Sequence, residues 1–203
     1  MTDIPAPTEG QSAPLQHTKT LHERIIIGLG WDVRESKVGT VSHIISKDSQ
    51  HDLDINCFVY DQNRTFIDFV GAEAADNMDE SGKIYHSGDN MCGTGEGDDE
   101  TITVELANIP AHYHALVFLV EVSGIHVFSE VENPEARIVD SMSNKELINA
   151  QLTDERAQNS KAFVFASITR DNNSPTGWTL TNISDHPDIS QIQEWGQYLA
   201  QYA

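Results

Sequence analysis

The chain has 203 residues, of which 38% are hydrophobic, and its 32 acidic and 12 basic side chains give a net charge of −20. This length and hydrophobic content exclude a wholly disordered chain and allow one domain with a proper core. The negative charge repels phosphate backbones, so direct binding to nucleic acid is not expected. It suits cations, with acidity that only aids solubility as the alternative.

The same sequence carries no signal for a membrane or an export route. No apolar run approaches the roughly 18–20 residues that a membrane-spanning helix needs. The first 16 residues lack the basic start and apolar centre of a signal peptide. Two cysteines, Cys57 and Cys92, are too few for a disulfide framework. We therefore expect a cytoplasmic protein with free thiols and no membrane insertion, with a single Cys57–Cys92 bridge as the alternative.

The N-terminal segment differs in composition from the rest of the chain. Residues 1–20 contain three of the seven prolines, Pro5, Pro7 and Pro14, and show no apolar periodicity. Such a composition is typical of a disordered tail. The ordered domain is therefore predicted over residues 21–203.

Short strands dominate the predicted domain. Ile102, Val104 and Leu106 alternate with polar residues, which predicts a strand with one buried face. Ser123-Gly124 is typical of a hairpin turn. The other apolar runs of strand length are 24–29, 41–45, 52–60, 116–122, 125–128, 161–169 and 178–183. Many strands joined by turn-forming residues predict an all-β fold, an antiparallel two-sheet β-sandwich.

Two segments have helical features. Residues 143–146 have the form of a capping box, which favours a helix over the segment that follows. Near the end of the chain, apolar residues recur at helical spacing, which predicts a short C-terminal helix. These residues are Ile189, Ile192, Trp195, Leu199 and Tyr202.

The charge is concentrated in one part of the chain. Residues 48–108 contain 15 acidic and two basic residues, a net charge of −13. A device for solubility alone would spread its charge along the sequence. Like charges held together on a folded surface lower stability unless a cation neutralises them.

Two acidic clusters lie within this segment. In the first, Asp52, Asp54 and Asn56 alternate with apolar residues, so a strand places all three on one face. The second cluster, residues 88–100, combines carboxylates with glycines, whose positive φ angles let backbone carbonyls turn inward. Its carboxylates are Asp89, Glu96, Asp98, Asp99 and Glu100, and its glycines are Gly88, Gly93, Gly95 and Gly97.

The chemistry of these clusters favours a hard divalent cation. Ca²⁺ accepts about 6–8 oxygen ligands in irregular geometry, whereas Mg²⁺ demands a stricter octahedron and retains water. An EF-hand is excluded, because the sixth and twelfth positions counted from Asp52 are Cys57 and Asn63. The alternative for the second cluster is a mobile acidic loop. Calcium is the predicted ion.

Three segments carry a resemblance to a known family. GLGWD (28–32), DLDINCF (52–58) and HSGDNMCGTGEGDDE (86–100) resemble the signature segments of the TerD family of tellurium-resistance and stress proteins. The resemblance runs in order from about residue 25 to 183 and implies a calcium-binding β-sandwich whose acidic loops lie at one end and hold two ions. It also implies a strand over 146–152, in place of a helix there.

The resemblance further implies a set of ligands. Side-chain ligands would be Asp52, Asp54, Asp89, Asn90, Asp98, Asp99 and Glu100, with Asp32 as either a ligand or a turn acid, and carbonyl ligands would come from Gly93, Gly95 and Gly97. Glu96 and the Gly71-Ala-Glu-Ala stretch depart from the family pattern, and the proline-rich start and the C-terminal segment are additional. The chain is therefore expected to be a divergent member.

The functional prediction is a non-enzymatic, calcium-binding bacterial stress-response protein of the tellurite and chemical-stress resistance type. Calcium would order the acidic end so that it acts as an interaction scaffold. Partners are expected among other stress-response proteins, with a membrane-associated complex as one option. Two alternatives remain open: a metal-dependent phosphoester hydrolase, and a module that binds a sugar or nucleotide through calcium.

Overall fold

Two antiparallel sheets form the protein in the computed structural model, which describes residues 5–16, 23–33, 51–94 and 97–203. The strands in these ranges are β1 (Ser12–Pro14), β2 (Arg24–Asp32), β3 (Leu53–Tyr60), β4 (Phe66–Val70), β5 (Ile84–His86), β6 (Glu100–Glu105), β7 (Ala115–Val122), β8 (Glu132–Asp140), β9 (Lys145–Gln151), β10 (Ala162–Arg170) and β11 (Trp178–Asp185). One short helix, α1 (Trp195–Leu199), follows them.

The strand order confirms the predicted two-sheet sandwich. One sheet has six strands in the order β1-β11-β10-β7-β3-β4, and the other has five in the order β5-β6-β2-β8-β9. The predicted strand over 146–152 is present as β9, which pairs with β8. The predicted strand over 41–45 lies outside the described residues.

The core lies between the two sheets. Ile55 and Phe118 of the six-stranded sheet belong to the same buried cluster as Ile27 and Ile102 of the five-stranded sheet. The alternation predicted around Ile102 is confirmed, since buried and partly exposed residues alternate along β6. Period-two alternation places every second side chain on the same face, and burial of that face drives the two sheets together.

The C-terminal segment covers the outer face of the six-stranded sheet. Leu199 belongs to a second buried cluster with Val117 and Leu119 of β7, and Trp195 packs against it. This cover explains why β7 is apolar on both faces. The predicted C-terminal helix is confirmed over Trp195–Leu199 only, since the residues from 189 to 191 form a 3₁₀ turn. No helix in the described part of the chain is long and apolar enough to cross a membrane.

The expectation of a disordered tail is wrong for residues 5–16. Ser12–Pro14 form β1, which pairs with β11 at the edge of the six-stranded sheet. Leu15 follows it and is fully buried in the core between the sheets. Proline is tolerated on an edge strand because it need not donate a ladder hydrogen bond there. Residues 1–4 and 17–20 of the expected tail lie outside the described residues.

The predicted hairpin at Ser123-Gly124 is also wrong. Phe128 belongs to a 3₁₀ turn rather than a strand, and Ile125 is 87% exposed. The physical reason is the position of β7, which already pairs with β3 on one side and β10 on the other. No free edge is left for a returning strand, so the chain crosses to the other sheet and continues as β8.

Candidate metal centre

Three carboxylates meet at one end of the sandwich. Asp52 and Asp54 flank the buried Leu53 at the start of β3, so strand alternation directs both toward the same side. Asp89 comes from the loop between β5 and β6, residues 87–99, which we call the acidic loop. One oxygen from each carboxylate lies within 4.8 Å of the others. We call Asp52, Asp54 and Asp89 the carboxylate trio.

The trio is electrostatically unfavourable without a cation. Burial and the negative charges of Asp54, Asp89 and Glu100 raise the pKa of Asp52 to about 6. Asp52 Oδ1 is buried and has no hydrogen-bond partner among the described residues. A buried, unpartnered carboxylate oxygen beside two further carboxylates is the arrangement that a hard cation stabilises. The residues present therefore fit a divalent cation.

Polar side chains of the six-stranded sheet surround Asp54. Ser123 Oγ donates a 2.6 Å hydrogen bond to Asp54 Oδ2. Glu121 of β7 lies directly opposite Asp54 in the β3–β7 ladder, and burial raises the pKa of Glu121. Asn56 turns to Glu121, with its Nδ2 3.4 Å from Oε2. Glu121 is absent from the predicted site residues, although a glutamate within the apolar strand β7 is a visible signal.

Asn90 and Asp99 hold the acidic loop together. Asn90 Nδ2 donates to Asp99 Oδ1 at 3.0 Å, and the Trp31 amide donates to Asp99 Oδ2 at 3.0 Å. Asn90 Oδ1 accepts the amides of Cys92 and Gly93, both at 3.2 Å. Both predicted ligands therefore form hydrogen bonds that organise the loop.

Asp98, a predicted ligand, forms an ion pair with Arg137. Arg137 Nε lies 2.8 Å from Asp98 Oδ1, and Arg137 Nη2 lies 3.0 Å from Oδ2. This bidentate pair raises the pKa of Arg137. The Asp98 carboxylate lies over Gly28, where an added Cβ would overlap with it. Gly28, the first glycine of the GLGWD segment, therefore makes room for this ion pair.

Glu100 is the most deeply buried of the predicted ligands. Its side chain is 0% exposed. Glu100 Oε2 accepts the Ile55 amide at 3.1 Å, and Oε1 accepts the Asn90 amide at 3.0 Å. It therefore connects β3 with the acidic loop.

Asp32 lies at the end of β2 and is not a member of the trio. The side chain of Asn133 donates a 2.7 Å hydrogen bond to Asp32 Oδ2. Asp32, Gly97 and Asp99 line a shallow polar depression beside the acidic loop. The structure therefore brings together three of the predicted ligands and distributes the others around them.

The predicted carbonyl ligands lie in different surroundings. Gly93 has a φ of +62°, and a Cβ there would lie 2.6 Å from the Trp31 ring. Glycine is thus required at Gly93 by both backbone conformation and space. Gly97 has a φ of +95°. Gly95 lies outside the described residues.

Comparison with known proteins agrees with this architecture. The family model that describes the TerD domain matches residues 7–184 of the chain. The chain belongs to the TerD domain family. The match begins before β1 and ends within β11, so it includes both sheets and both acidic clusters.

Several curated members of this family are similar to the chain. Tellurium resistance protein TerZ of Serratia marcescens is 31% identical over 173 residues, covering 85% of each protein. Tellurium resistance protein TerX of the same organism is 32% identical over 197 residues, covering 88% of this chain and 91% of TerX. General stress protein 16U of Bacillus subtilis (strain 168) is 30% identical over 159 residues, covering 72% of this chain and 74% of its own.

Solved structures share the fold. The crystal structure of a homologue of telluride resistance protein (TerD) from Streptomyces coelicolor A3(2) superposes with a TM-score of 0.64 at 21% identity. It covers 82% of this chain and 91% of the other. A crystal structure of a protein of unknown function superposes with a TM-score of 0.66 at 20% identity. At this identity the likeness establishes the sandwich and nothing finer.

Proposed function

We propose that this TerD-family protein binds calcium at the carboxylate trio and acts in a stress response as a calcium-ordered, non-enzymatic interaction scaffold. The trio carries the proposal: Asp52, Asp54 and Asp89 offer oxygens within 4.8 Å of one another. The stress-response part is supported by relatives named for tellurium resistance and general stress.

Calcium suits the site for two reasons. First, the trio offers only carboxylate oxygens, which hard cations prefer to nitrogen or sulfur. Second, the ligands come from a rigid strand and from a loop, and calcium tolerates irregular arrangements better than magnesium does. Bound calcium would supply positive charge that removes the repulsion within the trio.

The scaffold role follows from the position of the trio. Asp52 and Asp54 belong to a paired strand, whereas Asp89 belongs to a loop fixed at Asn90 and Asp99. An ion shared by strand and loop would restrict the loop and stabilise the folded state by binding it preferentially. The ordered acidic end would then offer a defined surface to a partner. Three properties stay predictions: binding to other stress-response proteins, a second calcium ion and a cytoplasmic location.

Calorimetry on the full chain tests calcium binding. After chelation, we expect Ca²⁺ to bind in the presence of excess Mg²⁺ and to raise the melting temperature. Asp54→Asn and Asp89→Asn should each remove binding at the trio. Glu73→Gln is the matched control, because Glu73 is an exposed acid in the same acidic segment. Full binding in both trio variants would refute the assignment of these residues.

A turnover assay separates the scaffold from a hydrolase. The chain is loaded with Ca²⁺, Mn²⁺ or Mg²⁺, and each form is incubated with simple phosphoesters. A scaffold predicts no turnover above that of the Asp89→Asn variant. Metal-dependent turnover that disappears in this variant would replace the scaffold with an enzyme.

A further inference from the structure

Glu100 links the two segments that provide the carboxylate trio. Its Oε2 accepts the amide of Ile55, the residue after Asp54, at 3.1 Å. Its Oε1 accepts the amide of Asn90, the residue after Asp89, at 3.0 Å. One buried side chain therefore sets the distance between the strand ligand and the loop ligand.

His86 supports Glu100 from the neighbouring strand β5. Its side chain is also 0% exposed, and its Nε2 lies 3.3 Å from Glu100 Oε2. The Gly88 amide donates to His86 Nδ1 at 2.9 Å. Because Nδ1 accepts this bond, we assign the ring proton to Nε2, which faces the carboxylate. Nε2 has no hydrogen-bond partner with good geometry among the described residues.

We infer that Glu100 is a positioning residue for the calcium site rather than a calcium ligand, and that His86 holds Glu100 in place. The inference rests on the calcium site proposed above. A fully buried carboxylate is costly unless several donors surround it. Two backbone amides provide them, one to each carboxylate oxygen, and the buried His86 ring packs beside Oε2 with Nε2 at 3.3 Å.

The physical consequence is a fixed geometry before the ion arrives. Asp54 and Asp89 must approach one another although both are negative, and Glu100 ties the backbone beside each of them. Partners that orient metal ligands are typically worth 10–100-fold in metal affinity. We therefore expect loss of Glu100 or His86 to weaken calcium binding by about 10–100-fold.

Four variants of the full chain test the inference by calcium calorimetry. Glu100→Gln offers one acceptor oxygen in place of two, so one of the two amides loses its partner. His86→Leu removes the polar ring that lies 3.3 Å from Glu100 Oε2, whereas His86→Gln keeps a polar N–H group at this position. The Kd for Ca²⁺ should rise in the first two variants and recover in His86→Gln. Glu105→Gln, at the opposite end of β6, is the control and should leave the Kd unchanged.

A measurement without calcium reads the positioning role directly. Amide hydrogen exchange by NMR on the chelated protein should become faster at Ile55 and Asn90 in His86→Leu, and one of these two amides should exchange faster in Glu100→Gln. Exchange in the core strand β10 should stay unchanged, which distinguishes local release from general destabilisation. Unchanged exchange at both amides in both variants would overturn the inference.

Terbium luminescence distinguishes positioning from ligation. Lifetimes of bound Tb³⁺ in H₂O and D₂O count the water molecules on the ion. A positioning role predicts the same count in wild type and Glu100→Gln, whereas one additional water in the variant would make Glu100 a ligand and overturn the inference.

If wild type bound no calcium, the proposed function would fail, while the amide exchange would still decide whether Glu100 and His86 connect the two segments. Equal Kd values in all variants of a calcium-binding wild type would refute the inference alone.

Discussion

Asp52 is the residue at which removal of a charge should stabilise the calcium-free protein while preventing its stabilisation by calcium. It lies among Asp54, Asp89 and Glu100, and one of its oxygens is buried without a hydrogen-bond partner among the described residues. Asp52→Asn retains the shape of the side chain and removes the charge. The two effects have opposite signs, so they can be separated by adding calcium.

The magnitude follows from the pKa. Burial and the neighbouring carboxylates raise the pKa of Asp52 from 3.8 to about 6. Each pKa unit corresponds to about 1.4 kcal/mol, which sets an upper limit of about 3 kcal/mol. Because Asp52 retains some contact with water, screening reduces the expected gain in the free energy of unfolding to about 1–2 kcal/mol.

The pH dependence identifies the cause. The pKa of Asp52 is higher in the folded state than in the unfolded state, so its charge destabilises the calcium-free protein at neutral pH. This penalty should decrease as the pH falls from about 6 to about 4 and should vanish below the unfolded pKa of about 3.9. The stability difference between Asp52→Asn and wild type should therefore disappear over the same range.

Urea unfolding of the chelated proteins at pH 7.5, 6, 5 and 4 provides the measurement. At pH 7.5, calcium at 100 times its Kd should add about 2.7 kcal/mol to wild type and far less to Asp52→Asn. Glu73→Gln controls for net charge and should resemble wild type throughout. A gain in Asp52→Asn that persists unchanged at pH 4 would refute the burial and repulsion of the Asp52 charge as its cause.

Three further predictions concern the framework around the site. Gly28→Ala would press a Cβ against the Asp98 carboxylate, so thermal denaturation should show a loss of about 1–3 kcal/mol, and an unchanged melting temperature would contradict this close approach. Asp79 is 3% exposed, and although burial opposes ionisation, its hydrogen bonds from backbone amides and hydroxyls lower its pKa. Asp79→Ala should therefore cost about 3 kcal/mol at pH 7, with a smaller cost as the pH falls below about 4, by urea unfolding. Trp195→Phe removes the 3.0 Å bond from Nε1 to Glu121 Oε1, so limited proteolysis should cleave the C-terminal segment faster, by a factor that corresponds to about 1 kcal/mol; an unchanged rate would contradict this anchoring role.

Local sequence patterns predicted the orientation of side chains correctly within a single strand, where the interacting residues are close in the chain. Asp52 and Asp54 were placed on one face by the alternation of β3, which the structure confirms. The alternation in β6 likewise predicted which side chains are buried. Such patterns are readable because the side-chain period of a strand is fixed by its backbone geometry.

Predictions from local sequence patterns were wrong where a segment packs against a strand that is distant in the sequence. The prolines near the N terminus suggested a tail, but β11 offers a free edge to Ser12–Pro14 and the core accepts Leu15. The C-terminal helix is shorter than its periodicity suggested, since Ile189 and Tyr202 lie in 3₁₀ turns, while Trp195, Leu199 and Tyr202 all pack on the outer sheet face. In both cases packing against the sheet decided the outcome, and sequence patterns contain no information on which edge or face is available.

The sequence by itself determined the sandwich and the concentration of acidic residues, because period and charge are properties of short segments. The preference for a hard cation follows from ligand chemistry and stays a prediction. Only the tertiary structure decided which acids share the trio. Asp98 is neutralised by Arg137, and Glu100 is engaged by amides of two other segments. All these acids look alike in the sequence, and they differ in role because a carboxylate is defined by the charges and donors that the fold places around it.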